Sequence, residues 1–173
     1  MSTHWMFQTL GDPLAVVRRL LGVLWEIANI DGMVLSVYQK GSCGVALKRI
    51  EDPAQLMVAD PFVPAVRLNA AKLVFQLAQT QPQARYVAVL RPCETRALRN
   101  LALRRGLDLG NWLIVGVDCL GSFPVSELEW RMKKAGGAEL FSRRALRFAR
   151  QGGIALYRYR RACQMCVPPN RTD

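Results

Sequence analysis

The chain is nearly without histidine: His4 is the only one in 173 residues. It stands in an N-terminal stretch with no helical or strand periodicity, so Ser-His and Cys-His hydrolytic pairs and histidine-rich metal sites lack material. Phosphate-cradling glycine motifs are missing as well, since neither Gly-x-x-x-x-Gly-Lys nor Gly-x-Gly-x-x-Gly occurs. There is no internal repeat, low-complexity tract or long linker. The most apolar stretch, Leu14 to Ile30, is broken by Arg18, Arg19 and Glu26. Met1 to Leu10 has no basic region leading into an apolar run, so neither a membrane span nor a signal peptide is expected. Acidic residues are scarce, 13 against 24 Lys and Arg, which gives a net charge of +11.

Most of that positive excess lies after Arg91, in Ser142 to Arg150 and Tyr157 to Arg161. Basic residues interleaved with tyrosines are the means by which single-strand binders hold phosphate and stack bases. Arginines at helical spacing more often make a solvated helix face, so nucleic acid is not the expected partner, and a basic surface also suits an acidic redox partner or an anionic coenzyme. Cysteine is present but sparse. Five residues are too few and too irregularly spaced for a secreted disulfide framework, and a reducing cytoplasmic setting is expected.

With 51% hydrophobic residues, the length suits one α/β domain over residues 1–173. Leu14, Val17, Leu20, Leu21, Leu24 and Ile27 recur at helical steps behind an Asp12 cap and Pro13, predicting an amphipathic helix from Pro13 to Asn29. Met33 to Tyr38 and Val45 to Ile50 read as two strands around a glycine-containing loop. Pro61 and Pro64 are expected to keep Asp60 to Val66 extended, and a helix follows from about Asn69 to Thr80.

The second half alternates more plainly: strand Tyr86 to Leu90, helix Glu94 to Arg105, strand Trp112 to Val117, helix Ser126 to Lys134. Beyond Gly136-Gly137 come a basic helix, Ala138 to Arg150, and a strand-like Ile154 to Tyr159. A mixed α/β sheet with a parallel βαβα second half and helices on both faces is the expected fold.

In such a sheet both βα loops open at one edge, and Cys93 and Cys119 fall in those loops. Cys163 and Cys166 form a Cys-x-x-Cys near the end. Four thiolates converging on one pocket suit a [4Fe-4S] cluster. A redox dithiol usually starts a helix, which Val167-Pro168-Pro169 disfavours. Structural zinc usually takes two close pairs, and only one is close here; zinc on the same four residues stays open as the alternative. Cys43 lies in a loop far from this pattern and is expected to take no part, burial being an ordinary fate for a free cysteine. Arg91-Pro92-Cys93-Glu94 ends a strand and opens a helix whose free N–H groups can donate to sulfide or to a flavin's polar atoms.

Three segments, Val87 to Leu98, Leu113 to Gly121 and Ala162 to Val167, resemble the beta subunit family of coenzyme F420-reducing hydrogenase and formate dehydrogenase. Ile30 to Val34 and Ala59 to Pro64 extend the likeness more loosely, and Arg-Pro-Cys-Glu with Asp-Cys-Leu-Gly is most similar to formate dehydrogenase beta subunits. The resemblance implies an oxidoreductase subunit with a [4Fe-4S] cluster on Cys93, Cys119, Cys163 and Cys166, together with FAD. It also implies electron transfer between a catalytic oxidoreductase subunit or ferredoxin-like protein and a soluble carrier such as coenzyme F420.

Many relatives carry Gly-Ser-Lys-Tyr before the helix that precedes the proline-cysteine motif. This chain has Val66-Arg-Leu-Asn-Ala-Ala-Lys72 instead, a departure that bears on deazaflavin use in particular. Arg67, Asn69 and Lys72 are the candidates to meet a flavin phosphate, or are ordinary helix-start residues. The chain stops seven residues after Cys166, where relatives continue, so a shortened or split version of the family is expected.

Overall fold

The computed structural model describes residues 8–9, 11–39, 44–151 and 158–166. His4, Cys43 and all but the end of the expected strand Ile154 to Tyr159 lie outside them. Helix α1 (Pro13–Ala28) starts where the sequence predicts, with the Asp12 carboxylate accepting the Ala15 N–H at 3.1 Å. It ends at Asn29, whose φ of 45° is left-handed, a conformation asparagine tolerates. Strands β1 (Gly32–Tyr38) and β2 (Val45–Ile50) pair antiparallel, Met33 opposite Ile50 and Tyr38 opposite Val45. Helix α2 (Ala70–Thr80) leads to β3 (Tyr86–Leu90), α3 (Pro92–Arg105), β4 (Trp112–Gly116), α4 (Val125–Ala135), α5 (Ala138–Arg150) and the short α6 (Arg161–Gln164).

The strands form one sheet in the order β2-β1-β3-β4, with β1 and β4 both parallel to β3. This is the expected mixed α/β sheet. All five residues of β3 are buried, as a central strand covered on both faces must be. Alternation along β1 and β3 sends Val34, Ala88 and Leu90 to one face, packed with Val74 of α2 and Leu98 of α3. Met33, Leu35, Val87 and Val89 go to the other, against Leu21 of α1. A third apolar cluster joins Val45, Val63 and Phe123 to Leu128 and Met132 of α4 and Phe141 of α5. Among the described residues no helix is long and apolar enough to cross a membrane.

Two local departures from the expectations, and one element the sequence left unassigned, have clear causes. Helix α3 begins at Pro92 rather than Glu94, because Glu94 reaches back to accept the Arg91 N–H at 2.9 Å. Cys93 therefore stands in the first helical turn rather than in the loop before it. Residues Pro53–Val58 form a 3₁₀ helix, capped by the Asp52 carboxylate on the Ala54 N–H at 2.8 Å. The segment after it is only partly extended: Ala59 bridges to Val37, and Pro61 and Phe62 turn.

Candidate metal centre

Parallel pairing of β3 and β4 decides where two of the cysteines emerge. Strand β3 ends at Leu90, and Cys93 follows in the first turn of α3. Alongside, the ladder runs one step past β4, the Val117 N–H donating to the Leu90 carbonyl at 2.9 Å, and Cys119 lies two residues further on. Both thiols therefore leave adjacent strands at one edge of the sheet, as the βα rule requires.

The Cys119 loop curls over its own sulfur, which accepts the Gly121 N–H at 3.4 Å. Gly121 has φ +84°, and a Cβ there would sit 2.5 Å from the Tyr159 ring, so glycine is what lets that ring close on the loop. Tyr159 also meets Phe123 edge-on, ring centroids 5.0 Å apart. The adjoining backbone continues the contact. The Arg160 N–H donates to the Ser122 carbonyl at 2.8 Å, and the Arg160 guanidinium donates to the Val66 carbonyl at 3.1 Å. The Ser122 hydroxyl in turn accepts the Val66 N–H at 3.0 Å.

This docking carries the Cys-x-x-Cys to the same edge. Cys163 lies in the single turn of α6, its N–H donating to the Arg160 carbonyl at 2.8 Å, and Cys166 follows the turn. From α3, Arg96 donates to the Cys166 sulfur at 3.9 Å. Segment 158–166 thus touches both the α3 side and the β4 loop.

Electrostatics tie the four sulfurs together. Burial pushes the Cys93 thiol up from its ordinary value, reinforced by the negative charge of Glu94 and by Cys119 and Cys166; Arg91 acts the other way. Burial also raises Cys119, with Cys163 and Cys166 adding to the rise, while Arg91 and the Gly121 N–H oppose it. Each thiol is thus within electrostatic reach of at least one other. Without a cation both sheet-edge thiols stay protonated at neutral pH; a bound metal would displace those protons.

The four thiols fit a cluster in kind and number. Among the described residues, however, no three His, Cys, Asp or Glu side chains stand close enough to hold an ion as they are. Closing the ligand shell would fall to segment 158–166, which carries Cys163 and Cys166.

The expected flavin contacts are not gathered in this way. Asn69 is committed to capping α2, its side chain accepting the Ala71 N–H at 2.9 Å, and Lys72 is exposed on that helix. Arg67 lines a cleft with Ser36, Leu47 and Glu94 whose volume, ≈ 10 Å³, is about that of one water. A flavin does not fit there as the cleft stands. Sequence reasoning missed Arg91, Arg96, Ser122 and Tyr159. An arginine or tyrosine in a turn carries no sequence signal for the contact it will make. No protein-family model and no curated protein sequence matches the chain.

Proposed function

We propose that the chain is an iron-sulfur electron-transfer subunit of an oxidoreductase, holding a [4Fe-4S] cluster on Cys93, Cys119, Cys163 and Cys166. The observation that supports this is the delivery of Cys93 and Cys119 to one edge of the parallel strands, with the Cys163–Cys166 turn docked beside the Cys119 loop and Cys166 against Arg96 of α3. When bound, such a cluster takes up and releases single electrons. The chain's own residues would supply ligation and a tuned surrounding. The Gly121 N–H donates to one ligand sulfur, and Arg96 lies over another.

The family resemblance supplies the direction of the proposal: electrons would pass between a catalytic hydrogenase or formate dehydrogenase-type subunit, or a ferredoxin-like protein, and a soluble carrier. FAD belongs to that resemblance.

The test is anaerobic purification followed by a visible spectrum and assays for iron, sulfide and zinc. About four irons per chain with a broad band near ~400 nm support the cluster, and flavin peaks would add FAD. Cys93→Ala, Cys119→Ala, Cys163→Ala and Cys166→Ala should each greatly reduce iron retention, while Cys43→Ala should leave it intact. Full retention in Cys119→Ala would defeat the four-ligand model.

A second proposal draws on the exposed Arg144, Arg147 and Arg150 of α5. It is a zinc-stabilised basic module that binds nucleic acid or a protein partner without catalysis. A colourless protein with about one zinc and salt-dependent oligonucleotide binding would favour it over the cluster.

A further inference from the structure

We infer that Arg91 is a positioning residue for the metal centre: a buried, fixed positive charge whose counterion is the negative charge of metal-bound thiolates. The inference rests on the cluster proposal and deepens it.

Arg91 is 4% exposed, at the junction between β3 and α3. Its backbone N–H is taken by Glu94 at 2.9 Å. One guanidinium nitrogen, Nη2, donates to the Val63 carbonyl, and the other, Nη1, is buried with no hydrogen-bond partner. Among the described residues no carboxylate forms an ion pair with this side chain. Glu94, the nearest in sequence, turns both oxygens to backbone, one to Arg91 N–H and the other to Ala70 N–H at 3.2 Å, so its charge lies close but makes no ion pair with the guanidinium.

An arginine does not shed its charge when buried. A buried cation with a single carbonyl partner destabilises a fold unless an anion stands nearby. Arg91 acts electrostatically on Cys93 and on Cys119, the two ligands delivered by the parallel strands. Metal-bound, these residues are thiolates, and a cluster held by four thiolates is a net anion that gains negative charge on reduction. A fixed cation beside it stabilises the reduced form more than the oxidised form, which raises the reduction potential. Arg96 touches Cys166 from an exposed position, where solvent and salt screen its charge. Burial is what separates the two arginines.

The experiment compares the anaerobically loaded wild type with Arg91→Met, Arg91→Lys and Arg96→Gln. It reads the midpoint potential by spectroscopically monitored titration, iron loss to a chelator, and the melting temperature of the chelator-stripped protein. Arg91→Met should lower the potential and speed iron loss about tenfold or more, while the stripped protein melts no lower than the wild type. Arg91→Lys should restore most of the potential, and Arg96→Gln should shift it little. Should the methionine variant fail to fold, Arg91→Gln, which drops the charge but keeps a donor for Val63, gives the same comparison.

A merely structural arginine would show the reverse pattern: a lower melting temperature with an unchanged potential. An unchanged potential and unchanged iron loss in a loaded Arg91→Met overturn the inference and leave the cluster standing. A wild type that takes up no iron overturns both.

Discussion

Asp60 is a buried carboxylate away from the cysteines, and its surroundings dictate how stability should respond to pH. It accepts the Phe62 N–H at 3.0 Å and the Tyr38 hydroxyl, while its own N–H donates to the Ser36 carbonyl at 2.8 Å. Arg18 lies over the Tyr38 ring, 5.9 Å from its centroid. Ser142 is within electrostatic reach of the carboxylate, yet its hydroxyl falls short of hydrogen-bond geometry. Burial pushes the Asp60 carboxyl above 3.8, and these polar neighbours pull it back only in part. The folded state therefore binds this proton more tightly than the unfolded chain does. Stability from this source is full below the unfolded value and is lost as pH rises through the higher folded one. Asp12 has the opposite sign. The Ala15 N–H and Arg143 hold it below its ordinary value, so its contribution is lost only as pH falls further. Asp60→Asn should therefore flatten the decline in stability between about pH 4 and the neutral range. Urea unfolding of both proteins across that window measures it, and equal pH slopes would refute the assignment to Asp60.

At the scale of elements, what the sequence made legible was what local chemistry controls. Asp12-Pro13 announced the start of α1, the apolar run Tyr86 to Leu90 announced a strand, and the strand-helix-strand rhythm announced the parallel edge from which Cys93 and Cys119 emerge. Long-range closure left no local trace. Nothing in Arg91-Pro92-Cys93-Glu94 indicates that its arginine is buried, and nothing around Gly121 indicates that Tyr159 will lie on it. That last contact offers a test of the docking itself. Gly121→Ala would place a Cβ 2.5 Å from the Tyr159 ring at a φ of +84°, so backbone and packing are both strained. Because the clash is with the terminal segment and not with the sheet, iron retention should fall steeply. The melting temperature of the metal-free protein should fall by less than a core truncation such as Leu90→Ala, expected to cost about 2–5 kcal/mol. Chelator challenge beside thermal melts decides it; unchanged iron retention in Gly121→Ala would mean that this docking does not serve the ligands.

Across the whole molecule, two apolar clusters clasp the sheet faces and a third gathers α4 and α5 against the hairpin end, while segment 158–166 adds only the partly buried Tyr159 to any of them. Half of the proposed ligand set thus sits on a segment that adds one side chain to the apolar clusters. A metal that binds the folded chain in preference to the unfolded one stabilises it by linkage. Here that gain should be concentrated where Cys163 and Cys166 are drawn to Cys93 and Cys119, since the sheet and its helices already close without help. The exposed Arg158, Arg160 and Arg161 make the segment a substrate for trypsin. Stripping the metal should accelerate cleavage there well before it accelerates cleavage in α3 or α5, and Cys163→Ala should cleave at the stripped rate with or without metal. Mass spectrometry of timed digests reads this directly. Equal protection of all sites by metal would instead mean that loading tightens the whole molecule, and identical digests with and without metal would place the bound ion somewhere other than at the terminal cysteines.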